Sequence, residues 1–347
     1  MSVSSLFRPS LTLGLLLGSL LLVASGCTDD TDDLSLKHQD TITVDESVQG
    51  LYPEGVQFDA QNNTFLAGSQ TRNTIGRVQD DGIYRVFIRD TSLISSVGLS
   101  LDPTRDRLLV AVSDPGYNTA LSKTRTKGKL ARVVIFNSNT GIRVQDGYLN
   151  LSDQFRKGGP HFANDIALDN AGTAYVTDSF SPVIYRINSQ NRVTIFAKGD
   201  TLLAPSAADV FGMNGIVHKS TSDGNYLLVI KSDTGTLLKI EVKGEVAGAI
   251  SQVAVDQDLS GGDGMLFQDS TLLVVSNKQN KVFRLYSTDN WKSATNLGTF
   301  SALPNNAYPT TLARRTAFEA YVLYSGLNSL QNNQTPPTGF TIQKVKF

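Results

Sequence analysis

Four side chains with hard oxygen donors recur in phase along this sequence: Glu54, Asn164, Asn214 and Asp263. Each opens a run of alternating apolar residues, and a glycine follows three of them, in Glu54-Gly55, Asn214-Gly215 and Asp263-Gly264. Two carboxylates and two carboxamides make a set that suits calcium, magnesium or manganese better than a soft-ligand metal. Four such donors leave coordination positions for water and substrate, which a catalytic cation requires. The chain has a single cysteine, Cys27, and three histidines, His38, His161 and His218. That excludes zinc sites built on several cysteines and leaves little room for a histidine-rich centre. Asn-Gly and Asp-Gly are also ordinary turn sequences. The common phase, more than any single residue, points to one shared site.

The phase comes from an internal repeat. Six segments share an anchor, an alternating apolar run, a turn and a second β-rich run. The first runs Glu54-Gly55-Val56-Gln57-Phe58-Asp59 and then Thr64–Ala67; the second opens at Val97-Gly98, the third at Asn164-Asp165, the fourth at Asn214-Gly215, the fifth at Asp263-Gly264 and the sixth at Thr310-Thr311. The anchors recur about every 50 residues, a length expected of propeller blades. Further short β-rich runs follow several of them, such as Val183–Ile187 and Val193–Phe196. The expected fold is all-β: a six-bladed β-propeller over residues 41–347, with four-stranded antiparallel blades around a central channel. Beyond the N-terminal apolar run there is no long 3.6-residue apolar period, which argues against βαβ units. In such a ring the innermost strands run along the channel, and the residues that open them face one another near one end. The last segment, Phe340–Phe347, reads as a strand that pairs within the final blade or closes the ring with Thr41–Val44. Thr119–Leu130 is polar, carries Lys123, Arg125, Lys127 and Lys129, and reads as an insertion in the second repeat over the channel mouth.

Pro53-Glu54-Gly55, Asn164-Asp165, Asn214-Gly215 and Asp263-Gly264, in this order and spacing, resemble the senescence marker protein/gluconolactonase family of regucalcin-like propellers, over roughly residues 50–325. The resemblance implies one divalent metal ion in the channel, calcium first, with magnesium, manganese or zinc as alternatives. Its ligands would be Glu54, Asn214 and Asp263, with Asn164 binding directly, through water, or contacting substrate. Asp263 would also be the general base of lactone hydrolysis. Phe162 stands where such gluconolactonases carry a sugar-binding arginine, which implies a substrate that is less polar or is not a sugar lactone. Related strictosidine synthase-like and paraoxonase-like enzymes use a late glutamate or a histidine pair. Here Thr310 and Val97-Gly98 occupy the corresponding anchors, which disfavours both chemistries.

Smaller signals carry two readings each. His161, three residues before Asn164, is either a substrate-contacting proton shuttle at the channel mouth or a loop histidine without a role. His218 reads as a strand histidine. Asp178, Asp233 and Asn277 follow the second runs of repeats three to five and read as turn or inter-blade hydrogen-bonding residues. Tyr52 and Tyr308 each precede a proline before an anchor, where they line the pocket or pack. No G-x-S-x-G, P-loop, Rossmann or HExxH pattern occurs.

The N-terminus reads as an address. Leu11–Ala24 is apolar and too short to span a bilayer comfortably, and Ala24-Ser25-Gly26 lead into Cys27 as in a bacterial lipobox. Residues 1–26 are the expected leader, Cys27 the acylated residue, and 27–40 an acidic tether, which places the protein outside the cytoplasm on the cell envelope. Lys+Arg number 31 against 32 Asp+Glu, which argues against a nucleic-acid partner, and a monomer is the default. The leading function is metal-dependent opening of a lactone or related ester. A non-catalytic ligand- or protein-binding propeller is the alternative, and a calcium-stabilised structural propeller a third reading.

Overall fold

The computed structural model of the protein describes residues 38–347 apart from 45–47, 145–147, 200–202, 209 and 305–306. The expected leader, Cys27 and most of the tether lie outside the described residues. His38 and Asp40, expected at the end of the tether, already belong to the fold. His38 Nδ1 lies 2.6 Å from Glu319 Oε2, and the Asp40 carbonyl accepts from the Lys344 N–H at 2.7 Å.

The described chain is all-β apart from short helical turns and the helix Leu327–Gln331. Its repeats become up-and-down antiparallel arrays. In the first, Val56–Asp59, Thr64–Ala67, Thr74–Val78 and Tyr84–Arg89 pair in sequence order. The turns are set by the aspartates that end the inner strands: Asp59 Oδ1 accepts the N–H groups of Gln61 and Asn62, and Asp169 Oδ1 that of Thr173.

The expectation of separate blades meets one departure, because strand pairing joins the arrays of repeats two and three into a single eight-stranded sheet. The join is short and parallel. His161 and Phe162 at the head of the third inner strand pair with Lys129 and Leu130, where the 114–128 excursion returns to the sheet. The remaining described sheets are three of four strands and one of five. One of the four-stranded sheets, the last in the cycle, contains Thr41–Val44 hydrogen-bonded to Phe340–Lys344, in register Thr41 with Gln343, so the two ends of the domain meet in one sheet as expected.

Burial explains why both faces of each second strand are apolar. Phe65 and Ala67 pack with Ile42, Tyr321 and Ile342 of the last sheet, while Leu66 between them packs with Leu99, Leu108 and Val110 of the second repeat. The same alternation recurs in repeat three. There Val176 faces Val133 of the preceding repeat and Tyr175 faces Leu227 of the following one. Each apolar cluster therefore sits between consecutive arrays, and the cluster joining the first repeat to the last closes the cycle. The inner strands follow the same cycle: Val56–Asp59 contacts Ser95–Asp102, which contacts His161–Leu168, then Met213–Thr221, Gly262–Gln268, Pro309–Thr316 and Val56–Asp59 again.

Candidate functional site

The inner strands are irregular where the anchors lie. Their pairing register shifts between Ser96 and Leu99, Ala163 and Ile166, Met213 and Ile216, Gly262 and Met265, and Pro309 and Leu312. Such β-bulges turn a side chain out of the regular pleat. Here they carry Asn164, Asn214, Asp263 and Thr310 at the same height on successive strands. The glycines that follow have a steric cause. A Cβ on Gly55 would lie 2.3 Å from the Val97 carbonyl oxygen, and one on Gly215 2.2 Å from that of Asp263. At these positions the strands converge so closely that a side chain would collide with the neighbouring backbone.

Convergence brings all four predicted donors together. Glu54, Asn164, Asn214 and Asp263 line one cavity of about 110 Å³ and are each only 4–8% exposed. Below it the channel narrows to a constriction flanked by Gly55, Gly98 and Gly264, which Glu54, Asn164 and Asn214 also line. Asn164 Nδ2 donates to Ser179 Oγ at 2.9 Å, and Ser179 Oγ in turn donates to the Met213 carbonyl at 2.6 Å. This fixes the carboxamide with Oδ1 buried and without a hydrogen-bond partner. Asp263 Oδ2 accepts from Asn277 Nδ2 at 3.0 Å.

No lysine, arginine or histidine is among the described residues lining the cavity. Burial pushes the Glu54 carboxyl well above the usual carboxylate range, and the Asp263 and Asp165 charges push it further. Burial likewise raises Asp263, and the bonds from Asn277 and Asn214 offset only part of the rise. Asp165, next to Asn164, is raised to about 6 by burial, although its carboxylate accepts the N–H groups of Ile166 at 2.8 Å and Ile216 at 3.1 Å. Buried carboxylates without a neutralising base, beside an orphaned amide oxygen, form an environment that a hard divalent cation satisfies. Among the described residues no group of three or more His, Cys, Asp and Glu side chains forms a metal-binding cluster. The donor set here is mixed, with carboxamides supplying half of it.

The wall above the donors is aromatic. Phe162 stands edge-on to Phe211 with ring centroids 5.0 Å apart, and Phe180 lies 5.4 Å from Phe162. Phe162 and Phe211 line the cavity together with Tyr117, Tyr308 and Leu327. Tyr117 comes from the 114–128 excursion of the second repeat, just ahead of the Thr119–Leu130 segment. Tyr308 adopts a left-handed φ of 53°, and burial pushes its hydroxyl up to about 12, with the Asp263 charge adding to the rise.

The reading of His161 as a substrate contact is corrected. His161 is 0% exposed and is not part of the cavity lining. The parallel pairing with Lys129 turns its ring away from the channel, so that Nδ1 meets Asp178 Oδ2 at 2.7 Å. Asp178 in turn accepts the Phe162 N–H at 2.8 Å and those of Phe180 and Ser181. The pair therefore underpins the aromatic wall, and Asp178 has the turn role expected of it. His218 stacks on Tyr175 at 6.2 Å, outside this cavity. Asp165, Gln70, Asn277, Phe211, Leu327 and Gln331 were not singled out as site residues from the sequence. Asp165 carried a signal, since it occupies the position that glycine takes in the neighbouring repeats.

Comparison with known proteins adds the fold. The chain superposes on the major Malassezia sympodialis allergen Mala s 1 with a TM-score of 0.68 and 18% identity, over 89% of this chain and 96% of that one. A regucalcin from Agrobacterium tumefaciens, described as a calcium-binding protein, gives 0.56 at 16% identity over 88% and 94%. A gluconolactonase from Xanthomonas campestris gives 0.57 at 11% identity over 88% and 89%. No family model and no curated protein matches the chain. At these identities the likeness is one of architecture: an all-β propeller of antiparallel four-stranded sheets.

Proposed function

We propose that this protein is a metal-dependent hydrolase that opens a lactone or related ester in the channel of a six-bladed propeller, anchored outside the cytoplasm through lipid on Cys27. The eight-stranded sheet then counts as two blades joined at His161–Phe162. Regucalcin and gluconolactonase neighbours are consistent with kinship to the senescence marker protein/gluconolactonase family. The observation that carries the reading is the meeting of Glu54, Asn164, Asn214 and Asp263 in one cavity with Asn164 Oδ1 unpartnered.

Glu54, Asn164, Asn214 and Asp263 would hold the cation, calcium first, with magnesium, manganese or zinc as alternatives. When bound, it supplies Lewis-acid polarisation of the ester carbonyl. The chain supplies the rest. Asn277 holds Asp263 Oδ2, and the Asp263 carboxylate would take a proton from the attacking water. The water oxygen bonds to the carbonyl carbon, the ring C–O bond breaks, and the Asp263 proton passes to the departing alkoxide. The Phe162, Phe180 and Phe211 rings exclude bulk water on one side.

The test is calorimetric titration of the chelator-treated full chain with calcium, magnesium, manganese and zinc, followed by a lactone panel. Near-stoichiometric binding is expected, weakened roughly 100-fold in Asp263→Asn, since one charged ligand is lost. Hydrolysis should disappear with it. Binding of none of these metals removes the reading. Metal binding without turnover of any ester supports the alternative of a non-catalytic binding propeller, which the aromatic wall also accommodates.

A further inference from the structure

One buried polar side chain in the cavity has no role in the site described so far. Gln70 follows the second strand of the first repeat, is 2% exposed, and lines the cavity. Its backbone is fully engaged: its N–H donates to the Tyr52 carbonyl at 3.1 Å, and its carbonyl accepts from Ser95 Oγ at 2.6 Å. Its side chain is not, for Oε1 is buried with no hydrogen-bond partner. An unsatisfied buried amide oxygen is destabilising unless a ligand completes it. The hard-donor set already contains Glu54 and three further oxygens, so Gln70 is not needed there.

Two further features bound what such a ligand can be. The described lining has no basic side chain, so none of these side chains offers a charge partner to an anionic substituent. Phe162, Phe211, Leu327 and Val97 offer one apolar face of the cavity, on which an apolar substituent is favoured over a hydroxylated one.

We infer that Gln70 is a specificity-determining residue, and that the ligand is a neutral ring carrying an apolar substituent and one hydrogen-bond donor that meets Gln70 Oε1. This rests on the proposed hydrolase reading only for the ring being a lactone. The class is then an amide- or hydroxyl-bearing lactone with an alkyl or aryl arm, not a sugar lactone or a lactone carboxylate. A site built to accept an N–H or O–H discriminates strongly against the analogue that lacks it, because its own acceptor is left unpaired.

The test separates binding from turnover. Calcium-loaded full chain is titrated calorimetrically with N-cyclopentylhexanamide, which has ring, arm and N–H but no ester, and with 1-cyclopentylheptan-1-one, which lacks the N–H. The amide is expected to bind at least about tenfold tighter. That preference should vanish in both Gln70→Leu and Gln70→Met, with the melting temperature and calcium affinity retained in at least one. Equal binding of the two probes, or a preference that survives both substitutions, overturns the role of Gln70. Faster hydrolysis of glucono-δ-lactone than of N-hexanoyl-α-amino-γ-butyrolactone overturns the substrate class while leaving the hydrolase reading intact. Amide-selective binding without hydrolysis of either lactone upholds Gln70 and removes the hydrolase reading instead.

Discussion

At the scale of single residues, the His161–Asp178 pair separates holding a site from performing its chemistry. Burial alone would lower the His161 pKa, but the hydrogen bond and charge of Asp178 outweigh it, aided by backbone carbonyls of Arg156 and Phe155, and the net direction is upward. Tyr185 also donates to Asp178 Oδ2 at 3.2 Å, and burial with the Asp178 charge keeps its phenol protonated. A histidine whose folded pKa exceeds its unfolded value stabilises the fold fully below the unfolded pKa, and that contribution is lost as pH rises through the folded pKa. The stability difference between wild type and His161→Gln, from urea denaturation at pH 5.5 to 9, is therefore expected to be largest at the acidic end. It should be about 1–3 kcal/mol there, as for other hydrogen bonds to charged groups, and shrink toward alkaline pH. A difference that grows with pH would mean that the imidazole is buried neutral. The same residue shows a limit of sequence reading. Its place three residues before Asn164 suggested a channel contact, and only the parallel pairing with Lys129 shows which way the ring turns.

At the scale of elements, the anchor-glycine pattern was legible because it repeats, and the structure supplies its cause. Five of the six inner strands bulge at the anchor, and the glycine that follows an anchor yields to the neighbouring backbone. The exception, Asp165, was legible only as a departure from the pattern, since its carboxylate finds the Ile166 and Ile216 amides that periodicity cannot foresee. Leu327 and Gln331 were not legible at all, because a five-residue helix is too short to show an apolar period. If the glycines set the spacing of the donors, adding one methyl group to this ring should do more than destabilise. Gly215→Ala would force its Cβ against the Asp263 carbonyl. It is expected to cost about 1–3 kcal/mol through overpacking and, by displacing Asp263, to weaken calcium binding roughly tenfold or more. Gly199→Ala, whose Cβ meets nothing within 4 Å, should change stability by no more than about 0.5 kcal/mol and leave calcium binding unaltered. Calorimetry and thermal melts of the two variants make the comparison. Equal calcium affinity in both would detach the glycines from the site.

At the scale of the whole molecule, the site depends on closure. Glu54 comes from the first repeat and Asp263 from the fifth, and between them on the far side of the ring stands the sixth, whose Thr310 hydroxyl donates to the Glu54 carbonyl at 2.9 Å. That contact is held by the last sheet, in which Phe340–Lys344 lies between Thr41–Val44 and Glu319–Tyr324. Removing 340–347 would strip the central strand from this sheet. It would also expose Ile42 and Tyr321, along with Phe65 of the first repeat, which share the cluster that Phe340 and Ile342 complete. Each large apolar side chain lost from a packed core costs roughly 2–5 kcal/mol, so two of them approach the whole stability of a typical domain. The truncated chain is expected to lose cooperative melting and calcium binding together. A milder change isolates the mechanism: Ile342→Ala should lower the melting temperature while calcium still binds at saturating concentration, because closure is weakened and not abolished. If truncation instead left calcium affinity intact, the donors of repeats one and five would be held by their own arrays, and ring closure would contribute stability alone.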